Sequence, residues 1–387
     1  MSITERDKKY VAGTYNRFPV EIVSGKGSEV YDTSGKRYID LGSGIGVTSF
    51  GICDDTWVEA VTKQLTTVQH MSNLYYTSPC SELAQLLCEK TGMKKVFFGD
   101  SGAEANECAI KVARKYSAEK KGSDCYTIVT LWNSFHGRTL TTLSATGQEH
   151  YHELFTPLTP GFAHIHAGCI DELYVLNKTT KIAGVMIECI QGEGGVVEIG
   201  REFAQAVDAF CHENDIPLIV DEVQTGNGRT GKLYAYMNYG ISPDIVSTAK
   251  GLGGGLPIGA ALLSERVQNV LGFGDHGSTF GGNPVACAGA ISIIRRIDEA
   301  LLSEVKAKSD KLFKAFENAE GIEGLSGMGL MVGIKTTKPA GEVVKKCMEK
   351  GVLCLTAKDK VRLLPALNIP EGILMEAAEI IKEACKG

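Results

Sequence analysis

Five short runs hold residues able to do chemistry, and glycine marks each of them. Lys250 stands between an apolar run and an unusually open glycine loop that continues through Gly251, Gly253, Gly254, Gly255 and Gly259. A lysine partly withdrawn from water tends to lose its proton and can form a Schiff base with an aldehyde. Most lysines are surface cations; the glycines packed around this one favour the chemical reading. Asp221 closes the apolar Leu218-Ile219-Val220 and opens Glu222-Val223-Gln224-Thr225-Gly226. A carboxylate there can hold a positively charged ring nitrogen, or simply cap the next turn. Phe135-His136-Gly137-Arg138 puts an aromatic plane beside a guanidinium, fit to stack on a flat ring and clamp a carboxylate. A core phenylalanine and a surface arginine would look the same. Ser101-Gly102-Ala103 joins a strand to a helix, where free N–H groups and the helix dipole accept phosphate. With Glu104, Ser101 equally makes a capping box. Glu188 to Gly195, with Gln191, Gly192 and Glu193, alone reads as a glycine-rich turn with solvated glutamates. In chain order, the cradle, the stacking aromatic, the acid and the lysine are the parts pyridoxal phosphate needs for its phosphate, ring, nitrogen and aldehyde.

Positioning these groups takes a sheet. Lys95 to Phe98 is a short apolar run, followed by a helical stretch with Ala109, Val112, Ala113 and Tyr116 on one face. Thr127–Leu131, Gly184–Ile187 and Pro217–Val220 read as buried strands. A helix from about Arg201 to Asn214 separates the last two and groups Phe203, Ala206, Val207 and Phe210. Buried strands alternating with helices predict an α/β fold with a mostly parallel sheet covered on both faces. The chain ends differ. Residues 20–41 read as a meander, and the tail from 284 carries long helices and a few strands, among them Leu330–Ile334. The expected division is an N-terminal segment (1–60) belonging to a small α+β domain, a large cofactor-binding domain (61–280) and the C-terminal part of the small domain (281–387).

Composition narrows the classes. The 387 residues carry a net charge of −6 and are 43% hydrophobic, which excludes disorder as the main state and disfavours a general nucleic-acid binder. The 45 glycines are clustered, not periodic, so collagen and glycine linkers are excluded. No charge-free apolar stretch is long enough to predict a membrane span. The charged opening lacks the apolar core of a secretory signal, and the twelve cysteines contain no CxxC pair, so reduced thiols in the cytoplasm are expected. No phosphate-loop or dinucleotide fingerprint occurs. His164 and His166 read as packing or surface residues, and no metal site is expected.

The runs Ser101–Glu107, Phe135–Thr139, Gln191–Gly195, Asp221–Gly226 and Ala249–Ala260 together resemble the class-III pyridoxal-phosphate aminotransferases of fold type I. The likeness runs from about Tyr15 to Leu367. Asn16-Arg17-Phe18-Pro19-Val20 and Phe135–Arg138 are most similar to the acetylornithine branch. The resemblance implies that Lys250 carries the cofactor and shuttles the proton. It implies that Asp221 holds the ring nitrogen, that Gln224 lies near the phenolic oxygen and that Phe135 stacks on the ring. Ser101, Gly102 and Ala103 would bind the phosphate, with Glu222 and Val223 also in the cofactor set. Ser278 and Thr279 match a loop that reaches the phosphate of a partner subunit, so a homodimer with shared sites is implied. Arg138 would take the substrate's distal carboxylate and Arg362 the α-carboxylate of glutamate. Glu193 resembles a gate that neutralises Arg362 until glutamate arrives.

The implied reaction moves the δ-amino group of N2-acetylornithine to 2-oxoglutarate, giving N-acetylglutamate 5-semialdehyde and glutamate, in arginine biosynthesis. Two positions depart from the family pattern. Gly51-Ile52-Cys53-Asp54-Asp55 replaces a Gly-His-x-His-Pro-like stretch, and Cys189 stands where a proline commonly follows Glu188. Ornithine, succinylornithine, 4-aminobutyrate or a lysine-pathway semialdehyde stay open as substrates. So do an aminomutase and a non-catalytic cofactor-binding relative.

Overall fold

A computed structural model describes residues 1–386. Its centre is a seven-stranded sheet in the order Lys95–Gly99, Gly259–Leu263, Ile245–Thr248, Leu218–Asp221, Ile182–Ile187, Thr127–Leu131 and Phe162–Ile165. Gly259–Leu263 runs antiparallel to both neighbours; the other pairings are parallel. The strands Ile182–Ile187, Leu218–Asp221 and Ile245–Thr248 are buried along their whole length, which is why their sequences are apolar without alternation. Burying each Val, Leu or Ile there contributes about 1.5–3 kcal/mol.

Two strands of this sheet went unread in the sequence, Phe162–Ile165 and the antiparallel Gly259–Leu263. Gly259-Ala260-Ala261-Leu262-Leu263 reads as more glycine loop because its first residues are small. They are small because they lie against backbone: a Cβ on Gly259 would sit 2.0 Å from the Ser101 carbonyl oxygen.

Helix Gly102–Lys121 buries Ala105, Ala109, Val112, Ala113 and Tyr116 against the sheet. Ser101 Oγ caps its start by accepting the Glu104 N–H, and Lys120 and Lys121 sit favourably in its last turn. The two ends of the chain meet in a four-stranded sheet: Ile22–Lys26, Glu29–Asp32 and Arg37–Asp40 form the meander, and Val352–Leu353 adds in parallel on Arg37–Asp40. A second four-stranded sheet of the tail contains Met331–Thr336 beside Lys360–Leu363, with Gly333 opposite Arg362. Among the described residues no helix is long and apolar enough to cross a membrane.

Candidate active site

The parallel strands end on one side of the sheet, where ligands of open α/β sheets bind. There a cavity of about 580 Å³ is lined by Ser101–Ala103, Phe135–Arg138, Glu188, Asp221, Gln224 and Lys250, among others. Residues from five separate runs of the sequence therefore share one space.

After Ile245–Thr248 the backbone turns sharply, and Lys250 is left-handed at φ +43°. A non-glycine residue held there is strained, and such strain collects at functional sites. Lys250 is half-buried as a residue, and the pKa of its amine lies below that of an ordinary lysine. Burial lowers it most; Glu193, Asp221 and Glu188 push it back up, and Arg362 lowers it further. The amine is thus biased toward the neutral, nucleophilic form.

Asp221 is 4% exposed at the cavity floor. Its Oδ2 accepts from Asn106 Nδ2 and from His136 Nδ1, each at 2.8 Å, and its Oδ1 accepts the Val223 N–H at 3.0 Å. No lysine or arginine pairs with it among the described residues. A buried carboxylate without such a partner, facing a cavity, suits a cationic ring nitrogen. The other features fit the same group. The start of helix Gly102–Lys121 opens on the cavity, and Gly102 must lack a side chain, because a Cβ would lie 2.7 Å from Val223 Cγ1. The residues present therefore fit pyridoxal phosphate, with Lys250, Asp221, Phe135 and the helix start each facing one part of it.

Arg138 is exposed at the cavity, its guanidinium 4.4 Å from the centre of the Tyr151 ring and 5.5 Å from that of Phe135. Arg362 is 3% exposed and, like Glu193, does not itself line the cavity; it contacts Gln224, which does. Arg362 Nη1 donates to Glu193 Oε1 at 2.7 Å and to Gln224 Oε1 at 3.0 Å; Gln224 Nε2 donates to Glu193 Oε1 at 3.2 Å. Burial pushes the Glu193 carboxyl up, but Arg362, with Lys250 and Gln224, together hold the pKa below the usual value. The Arg362 Nε is buried and has no partner.

Three residues in the cavity had no role assigned from sequence. Glu188 Oε2 accepts the Phe135 N–H at 2.9 Å and so anchors the aromatic. Burial, with Asp221 alongside, raises its pKa well above the usual value. Asn106 and His136 hold Asp221. The available signal was a polar residue on an otherwise apolar helix face at Asn106, and a glutamate directly after a fully buried strand at Glu188.

The structure does not bring every expected residue to the cavity. The Glu222 side chain turns away: it is fully buried, accepts from Thr225 Oγ1 at 2.6 Å and from the N–H groups of Ala235 and Tyr236 at 2.9 and 2.7 Å, and so braces the following turn. An acid next to Asp221 looks like cofactor chemistry in sequence, but successive residues leaving a strand point to opposite faces. Ser278 Oγ donates to Asp100 Oδ2 at 3.0 Å, and Thr279 is exposed; neither lines this chain's cavity. His164 packs on Trp132, with burial pushing its pKa down to about 4, and His166 pairs with Glu172.

Known proteins are similar to this chain along nearly its whole length. The family model described as "Aminotransferase class-III" matches residues 10–385. The acetylornithine aminotransferase of Haemophilus ducreyi is 46% identical over 383 residues, covering 98% of this chain and 98% of that protein. Among solved structures, the ornithine aminotransferase of Toxoplasma gondii superposes with a TM-score of 0.95 at 30% identity, covering 99% of this chain and 94% of that one. The acetylornithine aminotransferase of Elizabethkingia anophelis superposes with a TM-score of 0.88 at 33% identity, covering 98% and 97%. The chain belongs to the class-III aminotransferases, a pyridoxal-phosphate-dependent family.

Proposed function

We propose that the protein transfers the δ-amino group of N2-acetylornithine to 2-oxoglutarate, giving N-acetylglutamate 5-semialdehyde and glutamate, as a step of arginine biosynthesis in the cytoplasm. The observation that carries this reading is the pair of unlike arginines. Arg138 stands open at the cavity, whereas Arg362 is covered by Glu193 at 2.7 Å. An amine donor whose carboxylate is remote from the reacting carbon needs one distant cation and no cation nearby. Glutamate needs both. A removable carboxylate on Arg362 lets one site serve the two substrates in turn.

The residues divide the work. Bound pyridoxal phosphate supplies an aldehyde to capture the amine and a ring to take up the electron pair released at the donor carbon. Asp221, fixed by Asn106 and His136, keeps a positive charge on the ring nitrogen. Lys250 Nζ, biased toward its neutral form, takes the proton from Cδ of the donor and returns it on the far side of the transfer. Phe135, held by Glu188, covers the ring and excludes water. Arg138 clamps the α-carboxylate of N2-acetylornithine, and later the γ-carboxylate of 2-oxoglutarate.

The roles of Ser278 and Thr279 belong to the same proposal. Thr279 is exposed and lies outside its own cavity, which supports a homodimer in which it reaches the phosphate bound by the second copy. The shared sheet of the two chain ends likewise supports a small domain joined to the large one near residues 60 and 280. The testing experiment follows cofactor absorbance after adding N2-acetylornithine, ornithine or 4-aminobutyrate without oxo acid. Fastest bleaching with N2-acetylornithine, reversed by 2-oxoglutarate, is expected. Faster bleaching with another amine would overturn the substrate while leaving the chemistry.

A further inference from the structure

Arg229 is a guanidinium almost wholly inside the protein, 2% exposed, and no carboxylate pairs with it among the described residues. Burial alone pulls its pKa down to about 10. A buried cation without a counter-charge is costly, so what it holds is worth asking. Its Nη1 donates to two carbonyl oxygens, Leu330 O at 3.1 Å and Pro365 O. Leu330 returns a bond from its N–H to Arg229 O at 2.9 Å. Leu330 immediately precedes strand Met331–Thr336, and Pro365 follows strand Lys360–Leu363, which carries Arg362. The two strands are paired, with Gly333 opposite Arg362. One guanidinium therefore ties together the ends of both strands that set the direction of the Arg362 side chain. Arg229 itself lies on the loop that leaves Asp221 and contains Gln224, the residue that hydrogen-bonds both Arg362 and Glu193.

The rest of the strap after Arg362 is pinned as firmly. The Leu364 N–H donates to Leu41 O at 2.7 Å, and the Leu367 N–H donates to Ser49 O at 2.8 Å. The buried Lys308 Nζ donates to Leu367 O at 3.1 Å. Ser49 Oγ in turn donates to Gly251 O at 2.9 Å, beside Lys250. Arg229 differs from these other anchors in joining the strap to the loop that carries Gln224.

We propose that Arg229 is a positioning residue for the glutamate half of the reaction: it fixes the backbone that aims Arg362 at the α-carboxylate and keeps Arg362 in register with Gln224 and Glu193. The proposal rests on reading Arg362 as that carboxylate's partner. It predicts an asymmetric defect, because N2-acetylornithine uses Arg138 and not Arg362. The test measures both half-reactions in single turnover, by cofactor absorbance, for the wild type, Arg229→Met and Arg229→Lys holoenzymes. In Arg229→Met the concentration of 2-oxoglutarate giving half-maximal rate should rise about tenfold to a hundredfold, the scale of a substrate group displaced by about an ångström. The rate with N2-acetylornithine should stay within about twofold on that reasoning. Arg229→Lys keeps the charge and a donor, so it should recover most of the loss. Equal losses in both halves, or no loss in either, would overturn the proposal, as would failure of both variants to fold. If the wild type ignores N2-acetylornithine, the substrate reading fails separately, and the same comparison is made with the amine that does react.

Discussion

Replacing Glu193 by glutamine tests whether one site alternates between two substrates through a movable charge. The side chain of Arg362 is 4% exposed and that of Glu193 25%, so their 2.7 Å contact is largely out of water. In Glu193→Gln the new amide oxygen can still accept from Arg362 and Gln224, so shape is kept and only the charge is lost. A hydrogen bond between charged groups is worth about 1.5–3 kcal/mol and a neutral one about 1, so the substitution weakens the cover by about 0.5–2 kcal/mol. Glutamate must displace that cover to reach Arg362, whereas N2-acetylornithine needs it in place. The ratio of kcat/KM for glutamate to that for N2-acetylornithine should therefore rise by more than twofold, up to roughly 30-fold. Stopped-flow absorbance of each half-reaction, run with one amine at a time, measures that ratio. A pH series adds an internal control. Arg362 lowers the Glu193 pKa, so the ion pair is complete above the usual carboxylate range and is lost as pH falls through the lowered value. Acid should move the wild type further toward glutamate than it moves Glu193→Gln, the difference reporting Glu193 itself. A ratio that stays within twofold of wild type, or that moves toward N2-acetylornithine, would refute the idea that Glu193 gates Arg362.

Three further outcomes are expected. Lys250→Ala should abolish both covalent linkage of the cofactor, read from its absorbance, and turnover; full activity in that variant would overturn the central assignment. Mixing Lys250→Ala and Thr279→Ala subunits should restore activity that neither parent has, because one of the two sites in a hybrid then takes an intact lysine from one chain and an intact threonine from the other. No recovery after confirmed subunit exchange would place Thr279 in its own chain's site or in none. Burial raises the Glu222 pKa to about 7 from 4.5, so the folded chain holds an extra proton between those values and loses stability as pH rises across them. Relative to the wild type, Glu222→Gln should therefore gain roughly 3 kcal/mol between pH 4.5 and 7, at about 1.4 kcal/mol per pH unit. Denaturant melts at several pH values measure this, and parallel curves for the two proteins would refute it.

What the sequence makes legible here follows from how local each physical cause is. Strands buried on both faces announce themselves as unbroken apolar runs, so Gly184–Ile187, Pro217–Val220 and the acid ending the latter were readable. Lys250 was readable because it stands between an apolar strand and a glycine loop that close backbone packing demands. The antiparallel strand Gly259–Leu263 was not, since the same demand for small residues that marks the site also erases the strand's own pattern. Orientation is the deeper limit. Asp221 and Glu222 are chemically alike neighbours, yet one faces the cavity and the other braces a turn, and only the strand's exit geometry decides which. The groups that tune the site lie farther out again. Asn106 and His136 reach Asp221 across 115 and 85 positions of chain, Glu188 reaches Phe135 across 53, and Arg229 reaches Pro365, in the backbone just past Arg362, across 136. No window on the sequence spans such separations. A resemblance to a family can name the residues that meet the cofactor, but the strength with which each is held depends on these distant contacts. That is where Arg229 and Glu188 act, and where chains sharing the same five runs can still differ in how they divide their preference between two amines.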